Sequence, residues 1–166
     1  ELRLKKEGDV VTSAKQRLTV IGVELPKQKI MHTEWMHADC LADYYHVDVF
    51  SEEHWKILEN YFKEYVKRGC NMMLTPLFTS PLDTAVGLER TTTQLIKVEV
   101  VKGEYRFEFS ELKRWIDLCK KCGIEYYEMS HLFSQWGAKY APKVVAEVDG
   151  KEEKIFGWHT QAVGEY

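Results

Sequence analysis

Apolar residues in this chain are spaced in two different ways, and the alternation between them sets the expected elements. Trp55, Leu58, Phe62 and Tyr65 recur every three or four residues, which puts them on one face of a helix. Ser51 supplies an N-cap, Glu52 and Glu53 fill the first turn, and Lys67, Arg68 and Gly69 close it. A second helix follows the same grammar: Ser110 as cap, Glu111 in the first turn, Leu112, Trp115, Ile116 and Cys119 inward, then Lys120, Lys121 and Gly123. Each glycine leads into a short apolar run, Cys70 to Leu74 and Ile124 to Met129. Lys29 to Trp35 reads as a further strand, running into a polar, aromatic loop from His37 to His46.

Period-two alternation appears elsewhere. Gln16 to Leu25 predicts a strand that ends at Pro26. Leu95–Val101 and Glu104–Phe109 flank Lys102-Gly103, and Val144–Val148 and Glu153–Phe156 flank Asp149-Gly150. Both pairs predict hairpins. Strand, capped helix, glycine, strand is the rhythm of parallel βαβ units. The expected fold is α/β: a partial (β/α)8 TIM barrel, about its first three strands, preceded by the end of a β domain. Residues 1–27 are then the terminal strand and linker of that earlier domain, and residues 28–166 the opening part of the barrel with inserted hairpins.

A complete barrel takes about 250 residues, and this chain has 166. It opens on glutamate and ends at Tyr166 without a polar tail, so we expect a fragment. An open parallel edge would follow, most simply covered by a second copy of the chain. The net charge of −3 comes from 23 basic and 26 acidic residues. No basic stripe suits nucleic acid, and no apolar run suits a membrane span. The compartment stays open, with the cytoplasm favoured over secretion. Cys119-Lys-Lys-Cys122 sits at an expected helix end and reads as ordinary thiols rather than a redox or zinc pair.

Functional groups of β/α barrels lie just past the strand ends. That rule selects Glu34, Trp35, His37 and Asp39; then Thr75, Phe78, Asp83 and Arg90; then Glu128, Ser130, His131, Gln135 and Trp136; with Trp158 and His159 after the second hairpin. Aromatic rings mixed with carboxylates and imidazoles suit sugars, whose C–H faces pack on indole while their hydroxyls hydrogen-bond. The substrate-binding set taken forward is Glu34, Trp35, His37, Asp39, Asp83, Arg90, Glu128, His131, Trp136 and Trp158. Asp83 and Arg90 equally suit an ion pair that orders the second loop, and Trp55 and Trp115 belong to the core. His37 and Asp39, with His46 or His131, match no zinc spacing, so neither a metal nor any other cofactor is expected.

Several separated stretches together resemble the catalytic domain of glycoside hydrolase family 123. They are His32-Thr-Glu-Trp35 with His37-Ala-Asp39-Cys40, Gly69 to Pro76, Pro81-Leu-Asp-Thr84, Glu89-Arg90-Thr with Gln94-Leu, Ser130 to Gly137, and Phe156-Gly-Trp158. The resemblance covers roughly residues 28–166. It implies retaining, substrate-assisted hydrolysis of β-linked N-acetylhexosaminides, N-acetylgalactosamine-like. In that family a neighbouring Asp-Glu pair works on a substrate that supplies its own nucleophile. No Asp-Glu dipeptide occurs in this chain, so no catalytic residue carries over. Two expectations follow: a hydrolase fragment inactive alone, or a non-catalytic carbohydrate-binding or degenerate module.

Overall fold

The computed structural model describes residues 1–26, 29–135 and 137–163. Along these run β1 (Leu2–Lys6), β2 (Asp9–Ala14), α1 (Ala38–Tyr45), α2 (Glu52–Lys67), β3 (Met72–Thr75), β4 (Lys97–Val101), β5 (Glu104–Glu108), α3 (Ser110–Cys122), β6 (Tyr126–Met129), β7 (Val144–Val148) and β8 (Lys151–Phe156). No described helix is long and apolar enough to cross a membrane.

The two amphipathic helices form where their spacing places them. At α2 the Ser51 hydroxyl accepts the His54 N–H at 3.2 Å, the expected cap. At α3, Phe109 is the cap residue without a side-chain bond. Ser110 has moved inside the helix, where its N–H and hydroxyl donate to the Glu108 carboxylate at 2.5 and 2.7 Å. Glu108 has taken over the role expected of Ser110. Gly123 closes α3 at φ 96°, its N–H reaching the Cys119 and Lys120 carbonyls, a conformation costly to any residue with a Cβ.

The barrel expectation does not hold. Three small sheets are present among the described residues: β1–β2, β3–β6, and a four-stranded sheet in the order β5-β4-β7-β8. Among the described residues most pairings are antiparallel, only three helices occur, and no sheet closes. Both helix–Gly–strand units exist, and their strands pair in parallel, Met72 beside Tyr126 through Thr75 beside Met129. The first strand of the expected series, Lys29 to Trp35, is what fails. Residues 29–35 lie beside β3 but make no ladder. The His32 carbonyl accepts from the Asn71 and Met72 N–H groups at 3.0 and 3.1 Å. Then the Tyr65 hydroxyl intrudes, accepting from the Glu34 N–H at 2.9 Å and bonding the Met72 carbonyl at 2.7 Å. A side chain occupies the place where backbone would pair with backbone.

Two other expectations also change. Residues 15–26 are exposed and carry no strand; the N-terminal hairpin instead spans β1 and β2. The anticipated loop after His37 contains α1, which buries Ala38, Asp39, Leu41 and Ala42. The two hairpins form as expected, with φ positive at both turn residues, Lys102-Gly103 and Asp149-Gly150, the twist two-residue turns favour. They do not stand apart: β4 pairs in parallel with β7, so both share one sheet over Ile96, Val98, Val144 and Ala146.

The main core joins all three helices to β3. Trp55, Leu58 and Phe62 of α2 pack with Trp115 and Cys119 of α3, Ala38 and Leu41 of α1, and Met73, each large apolar side chain contributing about 1.5–3 kcal/mol. Burial raises the Cys119 thiol well above its usual range and shifts the Cys122 thiol in the same direction. His54 is fully buried in this region. Its Nδ1 accepts the Phe50 N–H at 2.9 Å, and Nε2 bonds the Ala38 carbonyl at 3.0 Å, so the neutral ring satisfies both.

Burial pushes the His54 pKa below its ordinary 6.5. The unfolded chain therefore binds the proton first, and the stability His54 confers is present above about 6.5 and lost as pH falls toward the lower folded value. The expected result is a urea midpoint that drops between pH 7.5 and pH 5 in the parent and drops less in His54→Gln. Equal pH dependence in the two proteins would refute it.

Candidate functional site

The site forms where the chain leaves the parallel pair β3 and β6. Beyond β3 the Thr75 carbonyl accepts the Ser130 N–H at 2.9 Å, and the Ser80 hydroxyl donates to the His131 carbonyl at 2.6 Å. The two exit loops are thereby tied together. Trp35 reaches them from the segment ahead of α1. Its indole Nε1–H donates to Glu128 Oε2 at 3.1 Å, and the His131 ring meets it edge-on at 5.4 Å. Trp35 remains 39% exposed. A shallow concavity of about 420 Å³ opens here, lined by Trp35, Leu82, His131, Phe133 and Gln135 among others.

A second cluster adjoins it. His37 Nε2 and Asp83 Oδ2 are 2.7 Å apart. Asp83 has φ 54°, a left-handed conformation that Asp tolerates better than most residues. Its N–H donates to Gln135 Oε1 at 2.9 Å, which ties the first concavity to the second cluster.

Asp39 and Arg90 are turned inward. Arg90 Nε donates to Asp39 Oδ2 at 2.8 Å, with the side chains only 10% and 7% exposed. Its other nitrogens reach the Leu82 carbonyl at 3.0 Å and Cys40 Sγ at 2.9 Å. Burial works against the Arg90 charge, but the bonds and charge of Asp39 and Cys40 outweigh it and raise its pKa. Asp83 and Arg90 thus pair with different partners rather than with each other. Together the two pairs bind α1 to the loop 81–92.

That loop is held at further points. Trp158 Nε1 donates to the Leu88 carbonyl at 2.9 Å, and its ring meets Tyr140 edge-on at 5.5 Å. Lys154 pairs with Glu89 at 2.6 Å, Lys143 donates to the Arg90 carbonyl, and Thr91 donates to Asp43 at 2.9 Å. Burial lowers the Lys143 pKa, with Glu89 acting in the opposite direction.

The structure therefore brings Trp35, Glu128 and His131 together, with His37 and Asp83 alongside. It sets Asp39, Arg90 and Trp158 to bracing the loop. Glu34 is exposed, its carboxylate 3.3 Å from His32 Nε2, and Trp136 lies outside the described residues. The periodicity that assigned Tyr65 to the core did not reveal its second role: its hydroxyl orders the segment that carries Trp35. The available signal was its polar tip at the end of an apolar face, since a buried tyrosine hydroxyl requires a partner. Among the described residues no three His, Cys, Asp or Glu side chains gather as a metal site.

Residues 35–165 match the model of a glycoside hydrolase catalytic domain, described as glycoside hydrolase 123, catalytic domain. The chain belongs to glycoside hydrolase family 123. Among solved structures it is similar to a family 123 glycoside hydrolase from Clostridium perfringens, studied for glycolipid glycan hydrolysis, at 22% identity and a TM-score of 0.53. The match covers 74% of this chain and 22% of that one, so this chain spans about a fifth of that relative. At this identity the likeness is one of fold. No curated protein matches the chain.

Proposed function

We propose that this chain carries part of the sugar-binding site of a glycoside hydrolase acting on β-linked N-acetylhexosaminides, N-acetylgalactosamine-like, with residues 1–27 forming a separate unit ahead of it. The observation that carries the proposal is the convergence of Trp35, Glu128 and His131 at the mouth of the β3–β6 pair, in a chain that belongs to family 123. The half-exposed indole offers a flat face for a pyranose ring. Glu128 spends Oε2 on Trp35 and keeps Oε1 for a hydroxyl. His131 borders the same concavity, and Asp83 presents a half-exposed carboxylate beside it.

The chemistry we propose is retaining and substrate-assisted. The 2-acetamido oxygen attacks the anomeric carbon as a carboxylic acid protonates the departing glycosidic oxygen, giving a cyclic oxazolinium-type intermediate. The same carboxyl group, now a base, takes a proton from water, which opens the ring and restores the acetamide. An aspartate beside the glutamate orients the acetamido group. That pair is absent from these residues, and we assign it to a part of the protein outside them.

An aryl N-acetyl-β-galactosaminide tests the proposal in two arms. The longer protein that includes an Asp-Glu pair is expected to release the phenol, whereas the 166-residue chain is expected to bind N-acetylgalactosamine without turnover. Turnover by the chain alone would overturn the assignment of the acid pair. Binding without turnover by the longer protein would instead favour a non-catalytic module.

A further inference from the structure

We propose that β5 is a homodimerisation edge, through which two copies pair antiparallel with Phe107 opposite Phe107. Among the described residues β5 pairs only with β4, at one border of the four-stranded sheet. The backbone orientation of β5 follows from its neighbours. Val100 directs its carbonyl to the Asp149 N–H, at 3.1 Å, and so toward β7. Val100 and its partner Tyr105 are therefore a non-hydrogen-bonded pair, and Tyr105 turns its own N–H and C=O away from β4. Two residues on, Phe107 does the same.

Edge strands are normally blunted by charged side chains, lysine above all, by proline or by a bulge. The opposite border, β8, carries Lys151 and Lys154, and its pairing with β7 is irregular at Val144/Val145. In β5 the sequence is Glu-Tyr-Arg-Phe-Glu, regular and without lysine, proline or a bulge, and its charges carry both signs, with Arg106 4.0 Å from Glu99 of β4. Tyr105 and Phe107 are 52% and 54% exposed, with rings stacked 10° from parallel.

Charge selects the register. With Phe107 opposite Phe107, Arg106 faces Glu108 of the other copy, twice by symmetry, and Tyr105 faces Phe109. Moving the centre to Arg106 sets arginine against arginine and Glu104 against Glu108, which is unfavourable. Centring on Tyr105 keeps an Arg106–Glu104 pair but places Phe107 against Gly103, forfeiting an aromatic pair. A twofold axis normal to the sheet keeps both aromatic faces on one side. The apolar groove of about 300 Å³ beside Val98, Tyr105, Phe107, Val144 and Phe156 then continues from one copy into the next.

Sedimentation equilibrium of the chain is expected to show a monomer–dimer equilibrium. Arg106→Glu, which leaves the Glu108 bond at the start of α3 in place, is expected to weaken dimerisation about tenfold through two like-charged facing pairs. Arg106→Glu combined with Glu108→Arg reverses both charges, gives up the Glu108 bonds to Ser110, and is expected to restore dimerisation, with circular dichroism confirming that α3 keeps the parent's helix content. Phe107→Cys is expected to give a disulfide-linked dimer across the axis, where facing Cα atoms lie within disulfide reach. A parent that stays monomeric across the accessible concentrations, a double variant no tighter than Arg106→Glu, or an uncrosslinked Phe107→Cys would each overturn the proposal.

Discussion

Replacing Arg90 with alanine is expected to lower the unfolding free energy by about 3–5 kcal/mol, measured as a shift in urea midpoint. The loss exceeds that of a surface ion pair, which is worth about 0–1 kcal/mol. Asp39 is only 7% exposed and would be left charged without its counter-ion. The Leu82 carbonyl would lose its 3.0 Å donor in the same step. Arg90→Lys should recover only part, because an ammonium cannot span Asp39, Leu82 and Cys40 with one planar fork. Removing both partners, Asp39→Leu with Arg90→Met, should cost less than the sum of the single losses, since no bare charge then remains. Sugar binding is expected to weaken with Arg90→Ala, because the pair fixes the loop whose Asp83 meets His37. A loss below about 1 kcal/mol would mean that Asp39 finds water when Arg90 is gone, and that the loop does not depend on the pair.

The sequence revealed two helices and two hairpins whose causes are local, but not α1, and it placed a strand at Gln16–Leu25 that does not form. Trp55, Leu58 and Phe62 foretold the buried face of α2, and the Lys102-Gly103 and Asp149-Gly150 turns foretold both hairpins. What strands do with one another is not local. The helix–Gly–strand rhythm identifies β3 and β6, yet nothing in it says that Tyr65 will stand between residues 29–35 and β3 or that β4 will find β7. The barrel expectation failed on those two events. The family was legible from motifs spread along the chain, and the match over residues 35–165 bears it out.

The site divides in the same way. Looking past strand ends located Trp35, Glu128 and His131, which do converge. The pairings Asp39–Arg90 and His37–Asp83 span 51 and 46 residues. Spacing cannot specify such partners, because they are set by how α1 docks. Since α1 itself was read as a loop, the inward turn of Asp39 was out of reach.

The second large effect separates the core from the mouth. Trp115→Ala is expected to cost about 3–5 kcal/mol, enough to consume much of the stability of a small domain. Trp115 is wholly buried, with Phe62 edge-on at 5.0 Å and Trp55 and Phe50 farther around the ring. Its deletion leaves a cavity between α2 and α3 that neither helix can close without pulling away from β3. Trp115→Phe should cost markedly less, because the indole N–H has no partner to lose. Trp35→Ala is expected to behave in the opposite manner. It removes a partly exposed ring and one bond to Glu128, so unfolding should shift by only about 1 kcal/mol. Binding of N-acetylgalactosamine, followed by calorimetric titration, should weaken about tenfold once the stacking face is gone. The contrast matters more than either value. Unchanged binding in a folded Trp35→Ala would move the sugar away from the β3–β6 mouth. If Trp35→Ala destabilised the chain as much as Trp115→Ala, Trp35 would be part of the core.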